Sequence, residues 1–290
     1  MLALSLSVLV SVAGAIVQPD PVWDSVAAIL KAPPAPITAY HRFGFPRTDL
    51  TVKVGDVTVA TGLALGGWVG FSGPADDAAV IGDLVVRPDE AAGVTNILMG
   101  RSVTVTAIHN HLTGESPEVV YLHFVGEGPA LDLARTIDAA IATTATPRGI
   151  KPGPPAPPVL DTAAVFNGLG LRGRAAGAVI NLTAQLIQVP IRVGHHDLPA
   201  ALAAASPINL QAVSAGRVVA TGDFALTGAM APAVLLALRA AGIAVTAIHS
   251  HFITSAPSLT YIHFWADGPL ATVVTGLRAV LDAATVRTSP

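Results

Sequence analysis

The chain contains no cysteine. Disulfides, thiolate catalysis, Cys-ligated zinc, iron–sulfur clusters and a lipid anchor on cysteine are thereby excluded. Charge is also scarce: 12% of the 290 residues are Asp, Glu, Lys or Arg, about half the roughly 25% usual for soluble domains. Much of the chain must therefore lie inside folded structure or against an apolar interface, and extensive disorder is ruled out. Nor is there a basic surplus, since 16 Lys and Arg stand against 19 Asp and Glu for a formal net charge of −3. With no cationic stripe to meet a phosphate backbone, nucleic acid is not an expected partner. Beyond the first segment no apolar run reaches the length of a membrane span without Pro or a charge.

What is abundant is apolar: 52% of residues are hydrophobic, enough for one large domain or two of about 100 to 150 residues. Leu2 to Val17 is apolar and ends at Gln18, Pro19 and Asp20, with Ala13, Gly14 and Ala15 supplying a small-x-small pattern. That segment is too short to span a bilayer and reads as a signal peptide over residues 1–15, although a positive n-region is missing. The expected location is extracytoplasmic: periplasmic, cell-surface or secreted.

The chain repeats itself. Residues 104 to 129 read TVTAIHNHLTGESPEVVYLHFVGEGP and residues 244 to 269 read AVTAIHSHFITSAPSLTYIHFWADGP, without a gap. The match extends back to Gly82-Asp83-Leu84 against Gly222-Asp223-Phe224, and weakens to a strand-like likeness of Leu50–Gly55 to Leu186–Gly194. Between the copies, PRGIKPGPPAPP is too rich in Pro and Gly for a helix or central strand. The expected organisation is a first repeat domain over 36–146, a Pro-rich linker over 147–160 and a second repeat domain over 161–286.

Each copy reads as α+β, a small sheet with two helices. Ala79–Val86 is a strand, Pro88 with Asp89 and Glu90 opens a helix to about Gly100, and Val103–His111 is a β-branched strand. A loop with Pro117 precedes the strand Val119–Val125, and Gly128-Pro129 opens a helix with apolar Leu131, Ala134, Ile137 and Ala140 at helical spacing. The second copy is expected to carry a longer first helix, Gly228–Gly242, and the stripe Leu270, Val273, Val274, Leu277, Val280, Leu281.

Six of the nine histidines fall in the repeated motif: His109, His111, His123 and His249, His251, His263. Residues two apart on a strand share a face, so His109 and His111 are neighbours, as are Tyr121 and His123. Antiparallel pairing that sets His111 opposite His123 would bring their Cβ atoms to about 5 Å. Glu115 completes a potential set of three imidazoles and a carboxylate, suited to zinc, manganese, copper or iron. Glu115 is the fourth ligand or general base, and Asp83 is an orienting carboxylate with catalytic potential. The second copy, with Ser255 in place of Glu115, is expected to bind metal more weakly through His249, His251 and His263. The alternatives for the triplets are hydrogen-bonded packing histidines or a metal-free ligand pocket. Tyr121 and Tyr261 read as packing residues, Glu90 as favourable charge in a helix's first turn, and His195 and His196 as a solvated turn.

At Thr106-Ala107-Ile108-His109-Asn110-His111, Tyr121-Leu122-His123-Phe124 and Gly82-Asp83-Leu84, the chain resembles the LppY/LpqO family of exported bacterial proteins. The resemblance implies export and a duplicated domain of unknown function, and Asp83, Glu90, His109, Asn110, His111, Glu115 and His123 meet its motif. Met230, Ser250 and Ser255 depart from it in the second copy. The expected function is an extracytoplasmic metal-binding protein, a metal-dependent hydrolase or oxygen-handling enzyme using the first copy's cluster. Its partner would be a small molecule or an envelope component. The alternative is a non-enzymatic cell-envelope module that binds a ligand or partner and carries structural histidines.

Overall fold

The computed structural model describes residues 21–35, 37–150 and 155–285; the expected signal peptide lies outside them. The first half contains α1 (Pro21–Leu30), β1 (His41–Pro46), β2 (Lys53–Val54), β3 (Val57–Thr58), α2 (Thr61–Ala64), β4 (Gly66–Ser72) and β5 (Ala78–Val86). It continues with α3 (Pro88–Met99), β6 (Val103–His109), β7 (Glu115–Ser116), β8 (Val120–Gly128) and α4 (Ala130–Ile141). The second half opens with α5 (Thr162–Leu169), β9 (Gly173–Ala176), β10 (Val179–Ala184), β11 (Ile191–Val193), β12 (His196–Leu198) and α6 (Ala200–Ala203). It ends with β13 (Ser206–Ser214), β14 (Arg217–Thr227), α7 (Ala231–Ala240), β15 (Ala244–His249), β16 (Leu259–Pro269) and α8 (Leu270–Thr285).

Each half is an antiparallel sheet with helices, the tandem α+β duplication expected from the repeat. The first sheet runs β1-β4-β5-β8-β6 and the second β15-β16-β14-β13-β10-β9. In both, the strand that ends at the first His of the His-x-His pair lies at an edge beside the strand carrying the third His. A short hairpin attends each half: β2–β3 pairs through Lys53 with Ser116, and β11–β12 meets Ala256 through Arg192. That correspondence is the structural content of the weak likeness between 50–55 and 186–194.

The layers follow from strand periodicity. All nine residues of β5 are buried, as a strand covered on both faces requires. Its Val80, Leu84 and Val86 join α1, α3 and α4 in one core, together with Leu133, Ala134, Ile137 and Ala140 of α4. The alternating Ala79 and Ile81 face the other way, packing with Ile191, Leu198, Ala225 and Tyr261 of the second half. Val85 likewise meets a cluster that includes Val52, Tyr121 and Val219. Helices thus cover the outer face of each sheet, and the inner faces pack together. Each fully buried Leu, Ile or Val in these layers contributes about 1.5–3 kcal/mol. Polar bonds add direction to the junction: Asn209 Nδ2 donates to Leu63 O at 2.8 Å, and the Gln211 side chain accepts from Ala60 N and donates to Thr58 O, both at 2.8 Å.

Two local expectations change. The helix expected over Gly228–Gly242 is the shorter α7, Ala231–Ala240, because Pro232 sits in its first turn and fixes where it starts. The pairing of β6 with β8 sets His109 opposite Tyr121 and Ala107 opposite His123, not His111 opposite His123. A bulge between Val105 and Ala107 resets the register, and the strand ends at His109, leaving His111 in the loop.

Candidate metal centre

Periodicity alone aims the centre's residues at the junction. Asp83 shares the inward parity of Ala79 and Ile81 on β5, and its Cα partner on β8 is His123. Asp223 pairs with His263 in the same way. The bulge residues then lock the halves together reciprocally. Thr106 Oγ1 donates to His251 O at 2.6 Å, and Thr246 Oγ1 donates to His111 O at 2.8 Å.

The six imidazoles consequently meet as one cluster about an approximate two-fold axis. His109 stacks on His249 with ring centroids 3.7 Å apart, His111 on His263 at 3.9 Å, and His123 on His251 at 3.7 Å. Behind them His111 stacks on Tyr121 at 3.5 Å and His251 on Tyr261 at 3.3 Å. The tyrosines are themselves tied down: Tyr121 OH donates to Ala64 O at 2.9 Å and Tyr261 OH to Ala203 O at 2.5 Å. Their phenols are thus spent on backbone carbonyls, which makes them walls of the cluster.

Asp83 approaches His111 Nε2 at 3.9 Å and His123 Nε2 at 4.0 Å, while Asp223 approaches His251 Nε2 at 3.9 Å. These separations are too long for hydrogen bonds. Among the described residues, ring nitrogens of all six histidines, with Asp83 Oδ1 and Asp223 Oδ1, are buried without a hydrogen-bond partner.

Ligand atoms of four residue sets lie within 4.8 Å of one another: His109, His123 and His249; His109, His111 and His263; His249, His251 and His263; and Asp83, His111 and His123. These buried groups could hold a metal ion. The expected first-copy trio His109, His111 and His123 is divided among sets that recruit His249, His263 or Asp83. The second copy's trio, expected to be the weaker, is one complete set. Glu115 belongs to none of them; it lies on β7 opposite Val54, and its carboxylate accepts from Val119 N at 3.5 Å.

Burial sets the protonation. It pushes the His123 imidazole down to about 3 and His249 to about 4, and holds His109, His111, His251 and His263 well below the ordinary value, with neighbouring rings adding to the effect in most. The rings are neutral near pH 7, the form that ligates metal. Burial pushes the Asp83 carboxyl up to about 7 against the pull of Arg42, and raises Asp223 well above the carboxylate range with help from Asp83. Uncompensated anions are costly in such a place.

A cavity of about 370 Å³ adjoins the cluster, and His111, His123, His251 and His263 line it together with Asp83 and Arg42. Its size suits a small molecule. The Arg42 guanidinium lies 4.3 Å over the Trp68 ring in the same wall. Neither residue stands out in the sequence, because a lone Arg and Trp on separate strands carry no spacing.

Residues 24–143 and 163–283 both match the family described as Domain of Unknown Function (DUF1259), and the chain belongs to that family. No curated protein matches the chain. Among solved structures it is similar to the trimeric bacterial microcompartment shell protein PduB, at 11% identity and a TM-score of 0.22, over 87% of this chain and 90% of that one. It is also similar to EtuB from Clostridium kluyveri, at 11% identity and a TM-score of 0.20, over 84% of this chain and 86% of that one. TM-scores this low carry neither the detailed fold nor the shell assembly across to this chain. The extracytoplasmic location expected from residues 2–17 is withdrawn, since the stretch that suggested export lies outside the described residues.

Proposed function

We propose that this protein binds divalent transition-metal ions at the junction of its two halves, through imidazoles contributed by both copies. The observation that supports the reading is the set of buried ring nitrogens and carboxylate oxygens with no hydrogen-bond partner. Each such atom costs about 1–3 kcal/mol when left unsatisfied, and coordination offsets that cost. The donor chemistry of neutral imidazole with an occasional carboxylate suits zinc, manganese, copper or iron.

Bound there, such an ion supplies Lewis-acid polarisation and an activated water, the chemistry of a metal-dependent hydrolase or of oxygen handling. The chain's own contribution is positional. Tyr121 and Tyr261 fix the planes of His111 and His251, Asp83 is placed to hold a proton beside His111 and His123, and Arg42 offers a cation to an anionic group in the cavity. Glu115 as ligand or base would require its loop to move from its present pairing. The TAIHNH, Leu-His-Phe and Gly-Asp-Leu segments further support placing the protein with the LppY/LpqO-like proteins.

Metal analysis of the purified protein, with the His109→Ala/His249→Ala double variant beside it, tests the reading. Bound transition metal in wild type and its loss in the variant is the expected result. Equal metal in the two would overturn it. A second reading, a module that binds a partner without chemistry, is favoured by Ile108 and Ile248, which are 52% and 54% exposed at equivalent places on the edge strands. Partner binding abolished by Ile108→Glu yet indifferent to the double histidine variant would support that reading instead.

A further inference from the structure

We infer that Asp77, His195 and His196 form a second metal site, separate from the central cluster, which fastens the β11–β12 hairpin of the second half to the β4–β5 turn of the first. The Gly-His-His-Asp turn, expected to be merely solvated, instead lies against first-half carboxylates. His195 Nε2 is 3.2 Å from both oxygens of Asp77, and His196 Nε2 is 3.6 Å from Asp77 Oδ1. Together the three residues offer ligand atoms within 4.8 Å of one another. An ion with bonds of about 2.0–2.1 Å in tetrahedral geometry holds its ligand atoms roughly 3.3–3.4 Å apart. The two separations measured from Asp77 fall on either side of that value.

The other face of His195 supplies an independent reason. Its Nδ1 lies 3.3 Å from Glu127 Oε2. When no ion is bound, Nε2–H donates to Asp77; an ion that takes the Nε2 lone pair moves the ring's proton to Nδ1, where Glu127 stands to accept it. Carboxylate, imidazole and ion in that order is the usual way a ligating histidine is oriented. His196 Nε2 is buried and has no hydrogen-bond partner among the described residues, although it faces the same carboxylate. Gly194 makes the approach feasible: its φ is +58°, and a Cβ there would overlap the Glu127 carboxylate. A side chain at that position would force the Glu127 carboxylate away from His195.

Two imidazoles and one carboxylate, with the remaining position open to solvent because His195 is 60% exposed, are a ligand set for zinc or a similar divalent transition ion. The site shares no residue with the central cluster. Its position between halves gives it a structural role: a cross-link that resists separation of the two sheets.

The experiment strips the full-length protein with a chelator and titrates it calorimetrically with zinc alone. It compares wild type with His195→Ala, Asp77→Asn and Glu127→Gln, each also made in the His109→Ala/His249→Ala background. His195→Ala and Asp77→Asn should each bind about one zinc fewer than their parent in both backgrounds and lose the zinc-dependent rise in Tm. Glu127→Gln, which leaves all three ligands in place, should weaken that same zinc about 10- to 100-fold. Unchanged zinc stoichiometry in His195→Ala in both backgrounds, or unchanged affinity in Glu127→Gln, would overturn the inference. A failure of the central site shows separately, as no loss of zinc on adding His109→Ala/His249→Ala alone. Should the alanine variant not fold, Glu127→Gln decides the question by itself.

Discussion

His109 and His249, equivalent residues of the two copies, stack on each other with ring centroids 3.7 Å apart and planes inclined by 27°. A residue stacked on its own repeat equivalent marks the approximate two-fold axis. Everything arranged around that axis is therefore common property of both halves. The sets that could hold an ion show this directly, since His109 joins His249 in one and His263 in another.

Substituting one ring should therefore damage a site built from both copies. His109→Leu and His249→Leu are each expected to lower metal affinity by at least about tenfold, ~1.4 kcal/mol. The same substitutions remove buried nitrogens that have no partner, so they should stabilise the metal-free protein by about 1 kcal/mol each. Metal titration and urea unfolding in chelator check the two halves of the prediction. A variant that loses stability in chelator while keeping its metal contradicts both.

The reciprocal bonds from Thr106 to His251 O and from Thr246 to His111 O tie each bulge to the other copy's motif. Valine keeps the shape and removes the donor. Each Thr→Val change should cost about 1 kcal/mol, and each should weaken metal binding, because the anchored carbonyl belongs to a histidine of the cluster. A double-mutant cycle measured by urea unfolding and metal titration tests this. Losses in stability with affinity unchanged would mean the bonds do not position the rings.

The duplication, the α+β class and the identity of the clustered histidines were legible in the chain, because they reside in local spacing and in a gapless repeat. The grouping of those histidines was not. Spacing within one copy carries no information about where the other copy lies, so a trio from a single repeat was the natural reading. Register failed for a more local reason: the bulge at Thr106 is one residue of extra backbone with no signature in a run of β-branched residues. Arg47 was overlooked because its partner Glu90 lies on a different element, 43 residues away. His195 reads as a solvated turn residue in the sequence for the same reason, its partner Asp77 lying 118 residues away.

The paired Gly-Asp dipeptides show a difference that the repeat conceals. A Cβ at Gly222 would overlap the Pro207 carbonyl oxygen, which is backbone of the neighbouring strand, whereas a Cβ at Gly82 would meet the ring of Phe124. A ring can rotate within its pocket at an overpacking cost of about 1–3 kcal/mol. The backbone of β13 cannot yield without breaking its ladder, so Gly222→Ala should cost more than Gly82→Ala. It should also displace Asp223 from His251. Thermal unfolding of the two variants tests the order, and the reverse order would refute this account of the glycines.

Glu90 provides the prediction about acid. Arg47, with 0% of its side chain exposed, donates to Glu90 Oε2 at 2.7 Å, and the same carboxylate accepts from Arg87 N and Ala145 N, both at 2.9 Å. Burial pushes the Glu90 carboxyl upward, yet these bonds and the Arg47 charge outweigh it and hold the group below its ordinary value of 4.5. A carboxyl depressed in the folded state stabilises the protein fully above its unfolded value, and the contribution is lost as pH falls through the folded value. The loss should therefore begin below about pH 4.5. Glu90→Gln keeps the shape but strands part of the Arg47 charge, while Asp49 still pairs with it at 2.9 Å. The expected cost at pH 7 is about 3 kcal/mol, at the lower end for breaking a buried pair. Toward pH 3 the gap between wild type and variant should narrow, since protonation takes the same charge from wild type. Urea midpoints across that range decide it, and a gap that stays constant with pH would show that the Glu90 charge contributes nothing to the fold.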